Sequence, residues 1–300
     1  MAKYDAAGDR IERRFPIFPV VLMAAGAVLL TVGIIVCKNT DMSKYESKMQ
    51  KGITIDQNYD GSSVKNIDLE YGYGDLTVDK SSDGNIYVKG ENVPDYYTIG
   101  LNGNTFEIKS RKNHFSLWDI GTWGFGLWNN NDVSLTVYLP EKIYDEVSID
   151  SGAGEVILNG LSCNEFDIDS GAGDCTVTSM SCNDFSVDLG AGDCDIISST
   201  IEGTVEADAG AGNLTMQSCS AGGLDIDLGA GDFEFFGSVN GNINIDSGAG
   251  DCTIDLYGDE SDYRFVGDRK NRYGSRDGKY TVDIDSGVGD IDFTFGNTKE

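Results

Sequence analysis

The sequence predicts an all-β protein: a single-domain β-solenoid of about 19–20-residue coils with Gly-Ala-Gly corners, preceded by one transmembrane helix. Three observations predict it. A short glycine motif recurs at a nearly constant step. The residues flanking it alternate apolar and polar with period two. One uncharged run of twenty residues lies near the start of the chain.

The uncharged run is Ile17 to Val36. A helix of about 20 residues spans a hydrocarbon core of roughly 30 Å, so residues 17–37 read as a helix in the lipid bilayer. Residues 1–16 then form a short cytoplasmic N-terminus and 38–51 a linker. Pro16 and Pro19 stand at the start of the run, where a missing N–H costs least. A cleaved signal peptide needs a small-residue cleavage site, and none follows the apolar run; a lipoprotein cysteine at Cys37 would be preceded by small residues, where Ile34, Ile35 and Val36 stand. Lys3, Arg10, Arg13 and Arg14 on one side balance Lys38, Lys44, Lys48 and Lys51 on the other, so charge does not orient the helix. The repeat architecture favours a single-pass protein of the cell membrane with its C-terminal domain extracytoplasmic.

Charge removes whole classes of function. The 300 residues carry 22 Lys and Arg against 50 Asp and Glu, a formal net charge of −28. Nucleic acid is no partner for such a chain, because phosphate binding needs a basic footprint. A single histidine, His114, leaves no His-rich metal site. No Lys or Arg occurs from Ile143 to Tyr263.

The repeat fixes the coils. After Gly152-Ala153-Gly154, glycine pairs begin at Gly171, Gly190, Gly210, Gly229, Gly248 and Gly287, in steps of 19, 19, 20, 19, 19 and 39 residues. An earlier relative, Gly72-Tyr73-Gly74-Asp75, precedes them. Before each corner one apolar column reads Val147, Phe166, Phe185, Val205, Leu224, Ile243, Val282, and the next Ile149, Ile168, Val187, Ala207, Ile226, Ile245, Ile284. After it come Val156, Cys175, Cys194, Leu214, Phe233, Cys252, Ile291, then Leu158, Val177, Ile196, Met216, Phe235, Ile254, Phe293. Two short strands per step make one coil, and coils stacked about 4.8 Å apart bury these columns. Residues 52–142 are an N-terminal β region with a Trp-rich insertion, and 143–296 the regular repeats with a basic insertion at 258–280. A large antiparallel sandwich or barrel is the alternative, but it does not call for identical corners at a fixed pitch.

Two acidic columns accompany the corners. Asp150, Asp169, Asp188, Asp208, Asp227, Asp246 and Asp285 stand two residues before the first glycine; Glu155, Asp174, Asp193, Asn213, Asp232, Asp251 and Asp290 follow the last. Like charges one coil apart repel by roughly 0.9 kcal/mol even in water-like dielectric. Hydrogen bonds from corner N–H groups offset this in one reading. In the other, Asp169, Asp174, Asp188, Asp193, Asp227, Asp232, Asp246 and Asp251 are metal ligands for Ca²⁺ between coils, as in a Ca²⁺-binding β-roll-like structural module. The glycine-rich nonapeptide of calcium β-rolls is similar, though here the pair returns once per coil. Cys175, Cys194 and Cys252 lie in an inward column; Cys163, Cys182 and Cys219 recur in the opposite turn. Buried free Cys acts as a small hydrophobe, while the one-coil neighbours Cys175/Cys194 and Cys163/Cys182 also stand within bridging range.

Two stretches break the rhythm. Trp118, Trp123 and Trp128, with Phe115 and Phe125, fall between strand-like segments and read either as a cover for an open end or as ligand-contact candidates for envelope glycan, protein or the lipid interface. The basic insertion carries Arg264, Arg269, Lys270, Arg272, Arg276 and Lys279; it reads as a solvated loop, or as a patch meeting the acidic columns of another copy in self-association.

Val133-Ser-Leu-Thr-Val-Tyr-Leu-Pro140, then Tyr144-Asp-Glu-Val-Ser-Ile-Asp-Ser-Gly-Ala-Gly154 and the serial coils resemble the bacterial putative-adhesin domain family over about residues 52–296. The resemblance implies a membrane-anchored, exposed β-repeat domain and brings no catalytic residues. The expected function is therefore non-enzymatic: adhesion, or a cell-envelope scaffold or interaction module. A carbohydrate-active enzyme on a β-helix is the remaining alternative. Its carboxylate pair would have to come from a repeating column, whereas a catalytic site should interrupt the repeat.

Overall fold

The computed structural model describes residues 52–110, 133–266 and 274–296. The expected membrane helix at 17–37 with its flanks 1–16 and 38–51, and the three tryptophans, lie outside the described residues. Among the described residues no helix is long and apolar enough to cross a membrane.

Among the described residues, twenty-two strands form one mixed sheet. The N-terminal region contributes β1 (Ile53–Asp60), β2 (Asn66–Tyr71), β3 (Asp75–Lys80), β4 (Asn85–Val93), β5 (Tyr97–Asn102), β6 (Thr105–Ser110) and β7 (Ser134–Leu139). The repeats contribute β8 (Ile143–Ala153), β9 (Val156–Asn159), β10 (Ser162–Ala172), β11 (Cys175–Thr178), β12 (Ser181–Cys182), β13 (Asp184–Ala191), β14 (Cys194–Ile197), β15 (Thr200–Ala211) and β16 (Leu214–Ala230). They continue as β17 (Phe233–Val239), β18 (Ile243–Ala249), β19 (Cys252–Tyr257), β20 (Tyr263–Phe265), β21 (Tyr280–Val288) and β22 (Ile291–Gly296).

Two parallel ladders run through the repeats. The strand before each corner pairs with its successor one coil on: Phe166 lies opposite Val147 and Phe185, Ile226 opposite Ala207 and Ile245. The strand after each corner does the same, with Cys175 between Val156 and Cys194 and Phe233 between Leu214 and Cys252. Every pairing between strands from β8 onward is parallel, so the antiparallel sandwich does not describe this chain. The four apolar columns are buried throughout, except Ile284 and Ile291 in the last coil, which are half-buried. Phe166 and Phe185 stack with centroids 5.4 Å apart, the aromatic form of this column packing.

The corner explains why glycine recurs. Its last glycine takes a positive φ in every coil, from +103° at Gly74 to +144° at Gly289. From Gly154 onward a Cβ there would also strike the carbonyl oxygen of the matching glycine in the adjoining coil, and at Gly74 that of Val133. Two constraints, dihedral and steric, thus fall on one residue. The opposite turn has a left-handed residue too, Gly160, but in the next three coils serine fills it: Ser179, Ser198 and Ser218 at φ 51–57°.

The N-terminal region does not follow chain order in space. The β2–β3 coil stacks directly on β8 and β9, with Leu69 opposite Ile149 and Val78 opposite Leu158. On its other side lie β6 and β7, parallel and in register, with Ile67 opposite Phe106 and Val78 opposite Val137. Antiparallel strands then finish this end: β5 on β6, β4 on β7 and β1 on β4. Tyr144 locks the junction by donating its hydroxyl to the Pro140 carbonyl at 2.9 Å, and Lys142 Nζ donates to the Gly61 and Val64 carbonyls.

The basic insertion differs from the solvated loop expected for it. Its β20 adds a short strand to β21, with Tyr263 opposite Tyr280 and Phe265 opposite Val282. Tyr263 and Phe265 are buried, and Phe265 meets Phe293 edge-on at 4.8 Å. Alternation within Tyr263-Arg-Phe265 makes it a strand, with Arg264 outward.

Candidate functional site

The two acidic columns lie on either side of the corner and do different things. In the column after the corner, the Asp and Asn side chains from Asp174 to Asp251 serve the next coil. Asp174 Oδ1 accepts the N–H of Asp193 at 3.2 Å, and Asp193 Oδ1 that of Asn213 at 2.9 Å. Asn213 passes the pattern on to Asp232 at 2.9 Å, Asp232 to Asp251 and Asp251 to Asp290, both at 2.8 Å. Asp75 begins the series by accepting from Glu155 at 3.2 Å. An amide oxygen at Asn213 does the same work as the carboxylates, so accepting a backbone N–H is what the column requires. Sequence reasoning placed Asp75 beside Gly74 without assigning it this role; its position just after the glycine is the signal.

The column before the corner is aligned without such bonds. Asp150, Asp169, Asp188, Asp208, Asp227, Asp246 and Asp285 are successive ladder partners. Partial burial and then the neighbouring carboxylates push Asp150, Asp188, Asp227 and Asp246 above the ordinary carboxylate range. Asp169 and Asp285 act on these neighbours as charges. With no Lys or Arg between residues 143 and 263, the face has no internal counter-ion.

The Ca²⁺ candidates therefore divide. Asp174, Asp193, Asp232 and Asp251 each commit one oxygen to a backbone N–H. Asp169, Asp188, Asp227 and Asp246 are exposed on the outer face. Among the described residues no three His, Cys, Asp or Glu side chains converge as a metal site. The residues present fit a row of single carboxylates, not a closed oxygen cage.

The repeat has one interrupted corner. In the β2–β3 coil the chain turns through Gly72–Gly74; in the coil stacked upon it the chain leaves β6 at Ser110 and re-enters at Val133. Val133 touches the turn next door, its carbonyl accepting the Asp75 N–H at 2.9 Å. The segment carrying Trp118, Trp123 and Trp128 is thus rooted where every other coil has a tight glycine turn.

The family model of the Toastrack DUF4097 domain matches residues 64–294. The chain belongs to the Toastrack DUF4097 family. Solved structures similar to this toastrack domain include a putative adhesin from Parabacteroides distasonis, 12% identical, TM-score 0.44, covering 81% of this chain and 97% of that one. A putative adhesin from Bacteroides fragilis is 15% identical with a TM-score of 0.35, covering 82% and 99%. A putative cell adhesion protein from Clostridium sporogenes is 14% identical with a TM-score of 0.27, covering 81% and 100%. No curated protein matches the chain. The family match spans both ladders and the Trp-rich and basic segments, so those segments lie within the toastrack domain and not at its ends.

Proposed function

We propose that this toastrack protein is a membrane-anchored, exported module without catalytic chemistry, used for adhesion or as a scaffold of the cell envelope. The Trp-rich segment at the interrupted corner is its contact surface, and envelope glycan or protein its partner. One observation carries the reading: the regular coils present the same side chains over and over, and the corner between β6 and β7 alone is replaced by a long aromatic segment. Tryptophan supplies large, rigid contact area at little entropic cost, which suits recognition. The carboxylates repeat in columns and lack a basic partner from 143 to 263, which favours a structural role over hydrolysis. The uncharged run at 17–36 supports an anchor, with the domain displayed beyond it.

The experiment is protease shaving of intact cells followed by a binding assay. Digestion of the domain from outside, with loss of cell-wall glycan binding in a Trp118→Ala/Trp123→Ala/Trp128→Ala variant that still melts like the parent, is expected. A domain protected in intact cells overturns the export reading. Undiminished binding by a folded triple variant overturns the contact surface.

A further inference from the structure

The interior holds four cysteines whose arrangement has no structural necessity. Cys175 and Cys194 are direct ladder partners on β11 and β14. Cys163 and Cys182 follow immediately on Ser162 and Ser181, which are ladder partners on β10 and β12. All four are buried. The two pairs lie at different turns, yet both join the same two coils, the one beginning at Ser162 and the one beginning at Ser181. The other inward cysteines lack this relation: Cys219 faces Gly237, and Cys252 faces Phe233 and Ile291.

We propose that these two coils are stapled by two disulfides, Cys175–Cys194 and Cys163–Cys182. Strand neighbours lie about 4.8 Å apart, within the roughly 4.4–6.8 Å span of Cα atoms across a disulfide. Cys194 and Cys175 face each other across the ladder as buried free thiols. Each bridge forms by thiol–disulfide exchange: two protein thiols lose two protons and two electrons to a small disulfide such as oxidised glutathione, which departs as two thiols. Burial pushes the Cys163 and Cys182 thiols up to about 12, and Cys194 is raised by the Cys175 thiol beside it and by burial. The attacking thiolate is therefore scarce once the coils have stacked, and the bridges form while they close. Bridging in the cell rests on the exported reading; the capacity to bridge does not.

The full chain, purified in detergent, is reduced, unfolded and refolded in a mixture of reduced and oxidised glutathione, then alkylated. Trypsin has no site from 143 to 263, so digestion uses cleavage at Asp and Glu, with cyanogen bromide at Met180 to part Cys175 from Cys182. Two linked species, 175 with 194 and 163 with 182, are expected, together with a melting temperature that falls by about 5–10 °C on reduction. A Cys175→Ser/Cys194→Ser variant should lose part of that reduction-dependent fall. All four thiols alkylated, or pairs scrambled among the seven cysteines, overturns the proposal. Chain alkylated directly from membranes gives the same answer without refolding if the two native pairs are found there. Thiols free in cells but correctly paired in vitro overturn export and leave the staples standing.

Discussion

At the scale of single residues, the corner and the column after it obey different chemistry, and substitutions separate them. Gly250 has φ +142° and no room for a Cβ against the Gly231 carbonyl. Gly250→Ala should cost roughly 2–4 kcal/mol, read as a lower urea midpoint. Ser198 is also left-handed, at φ 51°, yet tolerates its side chain; Ser198→Gly relieves about 1 kcal/mol of backbone strain and returns a similar amount in unfolded-chain entropy, so its midpoint should hardly move. In the acidic column, Asp232 Oδ1 accepts the Asp251 N–H at 2.8 Å. Asp232→Ala should cost about 1 kcal/mol, while Asp232→Asn keeps the acceptor, removes a like charge and should be neutral or stabilising, as the natural Asn213 illustrates. A loss for the Asn variant as large as for the Ala variant would mean that the charge itself is used.

At the scale of the strand ladder, the column before the corner makes stability depend on pH. Asp150, Asp188, Asp227 and Asp246 have folded-state pKa values above their unfolded ones. Such groups stabilise the fold below the unfolded carboxylate value, near about 3.9, and that contribution is lost as pH rises through the folded value. Asp60, Asp83 and Asp259 run the other way, held low by N–H and hydroxyl donors, and their contribution is lost only under more acid conditions. The melting temperature at low salt should therefore rise as the pH is lowered from 7.5 toward the ordinary carboxylate range, with the rise shrinking in molar NaCl as the column is screened. Calcium chloride matched in ionic strength to NaCl tests the row of outward carboxylates directly: binding to the native state adds a saturable increase in melting temperature. An excess that disappears in the Asp188→Asn/Asp227→Asn variant would assign the ion to this column.

The same ladder shows what a linear sequence can reveal. The columns from Val147 to Phe293 were legible because two periods coincide in them, one of two residues and one of a coil. Each column position is a ladder position, so reading the repeat amounts to reading the register. An acceptor role for Asp174 and its successors was legible as one of two alternatives, but the donor is the backbone N–H of the next coil and not the chain's own glycine corner. The N-terminal order was not. Phe106, Ile108, Leu135 and Val137 occupy the four column positions, but 22 undescribed residues stand where their corner glycines would be. Without a corner the repeat search loses its anchor, and Gly72-Tyr73-Gly74-Asp75 then stands as a lone relative of the motif instead of the corner of the coil that joins β6–β7 to β8–β9. The strand in the basic insertion was hidden likewise, since three residues are too few to show a period.

At the scale of the whole molecule, stacking by coils predicts that length is negotiable in units of one coil and in no other unit. Each coil touches its two neighbours through in-register ladders, so stability is close to a sum of coil and interface contributions. Leu224 and Ile243 are ladder partners, as are Leu214 and Phe233, then Phe233 and Cys252. Excising residues 224–242 joins Gly223 to Ile243 and leaves Val205 beside Ile243 and Leu214 beside Cys252. Every apolar column, both acidic columns and the run of corners stay continuous. The shortened chain should keep a β-type circular dichroism spectrum and a cooperative melt at a somewhat lower temperature. Excising only 224–233 moves the next corner out of line and carries apolar residues to the outer face, because a strand's side chains alternate with period two. That chain should fail to melt cooperatively. If both deletions melt alike, the coils are not the units of stability, and the corner glycines would have to act through local turn geometry alone.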